Sequence, residues 1–195
     1  MFGKNFSKLA RLAALFGAMA LPAMAEVNVS GGLSYFGLED QDQNHVVAHV
    51  RADYFFNAHL GLEAELSHGL NDFEESTVVS LDPVSFVPAD ATLTSDLDFG
   101  WGAFAKARWA VGEKAKVFVR AGYAEMDSED TFRVPVASFE RSQGGTVKGP
   151  AYGAGVMYGL TEKWSGRLDY TRYDFDAAGN DLPCYTFALT ASYGF

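Results

Sequence analysis

The stretch YTFALTASYGF, Tyr185–Phe195, alternates without interruption. Tyr185, Phe187, Leu189, Ala191, Tyr193 and Phe195 fall on one side; Thr186, Ala188, Thr190, Ser192 and Gly194 fall on the other. Successive side chains of a strand point to opposite faces, so the pattern predicts a strand with one apolar and one small, polar face. A soluble strand of this kind would bury its apolar face and rarely finish flush on an aromatic ring. An apolar medium outside the protein accounts for both features.

The same alternation recurs upstream. Val46, Ala48, Val50, Ala52 and Tyr54 oppose His49, Arg51 and Asp53, and Leu60, Leu62, Ala64 and Leu66 oppose Gly61, Glu63, Glu65 and Ser67. Leu97, Phe99, Trp101, Ala103, Ala105, Ala107 and Trp109 oppose Asp98, Gly100, Gly102, Phe104, Lys106 and Arg108. Val27–Tyr35, Lys116–Tyr123, Ala151–Gly159 and Trp164–Tyr170 repeat the pattern, so eight strands are expected. Their connections alternate between short (Phe56–His59, Val111–Ala115, Leu160–Lys163) and long (Gly37–Asn44, Gly69–Ser95, Asp127–Lys148, Asp176–Pro183). Short periplasmic turns alternating with long outer loops mark an outer-membrane barrel. The expected fold is therefore all-β: an eight-stranded antiparallel up-and-down transmembrane β-barrel.

Energetics choose which face meets lipid. A charge at the bilayer midplane costs about 2–4 kcal/mol, and the apolar faces carry none through their centres. Aromatic residues gather at both strand ends: Tyr35, Trp101, Tyr123, Tyr152 and Tyr185 on the loop side, Tyr54, Trp109, Tyr158, Trp164 and Phe195 on the turn side. Two such girdles fit the two membrane interfaces. The soluble alternative, a secreted lipocalin-like barrel, would turn the apolar set inward around a pocket.

The other terminus sets the compartment. Lys4, Lys8 and Arg11 precede an apolar run, Leu12–Leu21, and then Ala23-Met24-Ala25. A basic segment, a short apolar core and an A-x-A site read as a secretory signal peptide, residues 1–25, cleaved before Glu26. The barrel domain is then 26–195, placed in the outer membrane of a Gram-negative bacterium. The formal charge is −10 and falls further when the basic leader is removed, which argues against a nucleic-acid partner. Cys184 is the single cysteine, so no intramolecular disulfide is possible.

YGAGVMYGLTEKWSGRLDYTRYDF, Tyr152–Phe175, resembles the penultimate hairpin of the small eight-stranded outer-membrane barrels, the group of the OmpA barrel domain, OmpX and the opacity-type surface proteins. The terminal YTFALTASYGF is similar to that family's assembly signal. The resemblance implies that periplasmic chaperones and the barrel-assembly machinery engage the last strand at Phe195. It also implies a monomer in contact with outer-membrane lipid and lipopolysaccharide. No peptidoglycan-binding domain is expected after the barrel.

The inward set holds Arg51, Lys106, Arg108, Arg120 and Arg167 against Asp53, Glu63, Glu65, Asp98 and Asp169. An eight-stranded barrel is only wide enough to be filled by side chains, and charges buried there must pair. A salt-bridged plug is expected, with a gated ion path as the alternative. Chemistry is sparse. His68 beside Ser67 is the nearest approach to a base and nucleophile at the outer rim, and His45 and His49 share a face without a third metal ligand. Asp174, Asp176, Asn180 and Asp181 resemble a calcium loop only loosely, lacking the full spacing and terminal Glu. No catalytic residue, cofactor or metal is assigned. The expected function is a surface protein serving membrane integrity or adhesion through its long, acidic outer loops. A small porin and a lipid A-modifying enzyme are the alternatives.

Overall fold

The computed structural model describes residues 26–39, 44–80, 88–177 and 179–195. The expected signal peptide lies outside the described residues. Nine strands follow one another: β1 (Glu26–Leu38), β2 (Asn44–Phe55), β3 (Leu60–Gly69), β4 (Phe73–Ser80), β5 (Pro88–Ala110), β6 (Ala115–Val134), β7 (Phe139–Gly159), β8 (Trp164–Ala177) and β9 (Asn180–Gly194). All pairings are antiparallel.

Eight of the nine close into a ring. β1 pairs with β9 (Asn28 opposite Gly194), and β3 passes over β4 to pair with β5 (Leu60 opposite Ala107, His68 opposite Phe99). Every ring strand thus has two neighbours, which leaves no edge open to hydrocarbon. The Phe195 amide extends the seam, donating to the Val27 carbonyl at 3.1 Å. Turns of Phe56–His59, 111–114 and 160–163 join the strands at one end, as the alternation predicted.

The other end differs from expectation. Two stretches read as loops are largely strand: Gly69–Ser95 contains β4 and the start of β5, and Asp127–Lys148 contains the ends of β6 and β7 around a short 3-10 turn, Pro135–Ala137. Asp176–Pro183 likewise contains the start of β9. Above the lipid both faces of a strand meet water, so the backbone ladder continues without the apolar alternation that marks a spanning segment. β4 belongs to this upper region: it pairs only with β5, Phe73 opposite Ser95 through Ser80 opposite Pro88.

The lipid face is as expected along most of the wall. Leu33, Val50, Leu168 and Leu189 are exposed, as are the girdle rings Tyr35, Tyr123, Tyr152, Trp109, Tyr158 and Trp164. Tyr54 is covered instead, its ring edge-on to Phe56 at 5.4 Å. On β5 the register shifts between Leu97 and Gly100. That bulge reverses the parity above it, so Leu97 packs against the interior cluster while Asp98 is exposed.

Candidate functional site: a closed interior beneath an acidic sheet

The charges assigned inward by parity meet in one cluster. Arg51, Lys106, Arg120 and Arg167 are buried together with Asp53, Glu63, Glu65 and Asp169, four cations against four carboxylates. Glu63 is the hub. Its carboxylate takes Lys106 Nζ at 2.7 Å and Arg167 Nη1 at 2.5 Å, and it also pairs with Arg120. Glu65 takes Arg51 Nε at 2.6 Å and Arg120 Nη1 at 2.7 Å. Asp169 takes Arg51 at 3.0 Å and Arg167 at 3.1 Å, and Asp53 takes Lys106 at 2.8 Å. Every cation therefore touches at least two carboxylates. That density offsets the several kcal/mol that each ion would cost if buried alone.

Aromatic faces and hydroxyls complete the packing. Arg120 lies over the Phe104 ring at 4.3 Å, and Arg167 and Lys106 lie over Phe118 at 4.3 and 4.5 Å. Thr171 Oγ1 accepts from Arg120 Nη2 at 2.6 Å, and Tyr173 donates to Glu65 at 3.4 Å. His49 bridges Ser34 at 2.7 Å and Thr190 at 2.9 Å. The arrangement is a dense network of paired charges crossing the lumen.

Two sequence assignments change. Asp98 is not part of the interior, and Glu26 supplies the fifth carboxylate, pairing with Arg108 by Nη1 at 2.7 Å near the turn end. Glu26 keeps the parity of the inward Asn28 and Ser30, which was the signal available in the sequence. Phe104 and Phe118 also stood on the inward face, but parity alone does not announce a stacking role.

The other candidates separate. Ser67 faces inward while the ring of His68 is exposed and contacts the Asp98 carbonyl at 2.5 Å, so the two do not form a dyad. His45 contacts the Asn71 carbonyl at 3.3 Å and His49 is held by its hydroxyls. Asp174 pairs with Arg172 at 2.8 Å, and Asp176 accepts from the Gly179 amide at 2.9 Å, where φ is +90°. Among the described residues no group of three His, Cys, Asp or Glu could hold a metal ion. Cys184 is buried with its thiol directed at the Leu182 carbonyl, 3.4 Å away.

Above the barrel, the upper parts of β4, β5, β6 and β7 form a four-stranded sheet. Over Phe73–Val79 the outer edge of β4 has no strand partner among the described residues, and β7 meets β8 only from Lys148 downward. The sheet is acidic: Glu74, Glu75, Asp90, Asp96, Glu129, Asp130 and Glu140 outnumber Arg133 and Arg141. At its base Asp96 shares a hydrogen bond with Asp72, and that bond, with partial burial and the charges of Asp72, Asp98 and Glu129, pushes the Asp96 carboxyl up to about 6.

Fold and interior together define a class, the integral β-barrel that crosses the outer membrane by its strands. The chain belongs to the outer membrane protein beta-barrel domain family, whose profile matches residues 10–195. Solved structures agree on the fold. Ail, the attachment invasion locus protein of Yersinia pestis, solved with the heparin analogue sucrose octasulfate, is 18% identical with a TM-score of 0.54, covering 88% of this chain and 99% of its own. A major outer membrane protein from Thermus thermophilus is 12% identical, TM-score 0.54, covering 88% and 99%. OprG from Pseudomonas aeruginosa is 12% identical, TM-score 0.52, covering 88% and 96%. The comparison with curated protein sequences gave no match.

Proposed function

We propose that the chain is a surface-interaction protein of the outer membrane, and that the acidic sheet of β4–β7 is its recognition element. The observation that carries this reading is the pair of sheet edges, on β4 and on upper β7, that have no strand partner among the described residues. A strand edge presents a row of free amides and carbonyls, which an extended segment of another protein can complete. The acid surplus selects a basic partner and disfavours a polyanion such as the heparin analogue in the Ail structure. The interior gives little support to a porin, because among the described residues the buried cations and carboxylates are matched by ion pairs rather than left to guide a solute. The separation of Ser67 from His68 removes the one pair that suggested lipid chemistry.

Two measurements test the proposal together. The refolded chain in a planar bilayer should be silent; reproducible conductance steps would make it a channel. Bacteria displaying the chain should adhere to cells or matrix, and replacing residues 71–96 by a short turn should abolish adhesion at unchanged barrel levels. Undiminished adhesion by that variant would remove the sheet from the function.

A further inference from the structure

The interior has two chemical halves, and the upper one is not full. Above the charge cluster, Phe36, Val47, Phe104, Ala124, Met126, Ala151, Tyr173, Phe175 and Cys184 form an apolar cluster. Over it lies a cavity of about 240 Å³, walled by Phe36, Leu93, Leu97, Met126, Leu182 and Cys184. Its floor is closed: Phe36 meets Tyr173 at 6.3 Å, Tyr173 meets Phe175 at 5.1 Å, and Tyr173 reaches down to Glu65. The cavity is a dead end for anything entering from outside.

Its polar lining is one-sided. His45, Ser95, Ser128 and Asp130 contribute to it, and among the described residues no Lys or Arg does. His45 Nδ1 donates to the Asn71 carbonyl at 3.3 Å, which holds the ring against the cavity wall. The Asp130 carboxylate has no cation beside it in the described lining, so the cavity favours a cationic or hydrogen-bond-donating head and repels an anion.

We propose that this cavity is a binding site for a small, mostly apolar molecule whose single polar head donates hydrogen bonds, a hydroxyl or an ammonium. At interior packing density it has room for about ten non-hydrogen atoms. The plug beneath makes it a receptor pocket rather than a transport path, so the inference is independent of the edge-binding role of the sheet.

Two methionines report on it. Met126 lines this cavity, whereas Met157 lines a separate one of about 820 Å³ at the turn end. Methionine methyl groups labelled with ¹³C would be followed in lipid nanodiscs, with both resonances assigned by M126L and M157L. Benzyl alcohol and benzylamine should shift the Met126 signal saturably and leave Met157 in place, while benzoate, the same size with an anionic head, should bind at least about tenfold more weakly. Leu182→Trp, which fills the cavity from its rim, should remove the saturable shift; Leu93→Phe serves if that variant does not refold. No saturation at Met126, parallel linear drifts at both methionines, or equal binding of benzoate would each overturn the proposal.

Discussion

Arg167 and Glu63 meet across the lumen, Nη1 to Oε2 at 2.5 Å, although β8 and β3 are not neighbours in the wall. The pair is a strut between opposite sides of the barrel. Lys106 and Arg120 stand opposite each other in the β5–β6 register, like charges side by side, and Glu63 contacts both. Glu63 therefore separates two like charges while also holding Arg167.

Removing that carboxylate leaves Lys106, Arg120 and Arg167 with too little negative charge. Glu63→Gln should cost about 3–5 kcal/mol, the usual penalty for breaking a buried pair. Glu140→Gln, at the exposed Arg133–Glu140 pair, should change stability by less than about 1 kcal/mol. Denaturant unfolding in lipid vesicles, followed by tryptophan fluorescence, separates the two. Equal effects would contradict the hub role.

The ring of Phe195 is 78% exposed and touches Tyr193 at 5.0 Å, so it adds little to the finished wall. Phe195→Ala should leave the refolded barrel's stability nearly unchanged while slowing its appearance in the outer membrane. Pulse labelling, scored by the heat-modifiable folded form, reads the rate. Outer-membrane levels rising at the wild-type pace would count against an assembly role.

Asp96 gives the outer sheet a pH dependence. Its carboxyl is raised from 3.8 to about 6, so between those values the folded state binds more protons than the unfolded one. Stability from this group is present at low pH and declines as pH rises towards and through 6. Titration of the Asp96 carboxyl carbon by NMR should show a midpoint near 6. In Asp72→Asn the negative charge that faces the Asp96 carboxyl is gone, and the midpoint should move down. A midpoint unmoved by that change would dissociate the two residues.

Gly122 lies against the backbone of β5: a Cβ there would run into the Ala103 carbonyl oxygen and come within 2.7 Å of Phe104 Cα. Gly122→Ala should destabilise by about 1–3 kcal/mol through overpacking. Gly112, in a short turn with no atom within 4 Å of such a Cβ, should accept Ala within about 0.5 kcal/mol. The same unfolding experiment compares them.

What was legible in the sequence followed from one constraint. Between lipid and a packed lumen each side chain has only two environments, so parity alone placed Arg51, Glu63, Arg120 and Arg167 inside and Leu33, Val50 and Leu189 outside. Parity failed where that constraint lapses. Past Leu97 a bulge changes the count, and Asp98 ended on the wrong face. Above the girdle water bathes both sides, and β4 carried no alternation to reveal it. The pairing partners were also hidden, because Glu63 and Arg167 are joined by the curvature of the wall rather than by any spacing along the chain.

The seam between β1 and β9 joins residues far apart along the polypeptide, Asn28 with Gly194. Loop-closure entropy makes such a distant pairing the slowest to find, and hairpins such as β8–β9 form before it. β9 pairs with both β1 and β8, so the wall is complete only once β9 is in place. Closure of the wall, and with it the sealing of the charged lumen, therefore waits on β9.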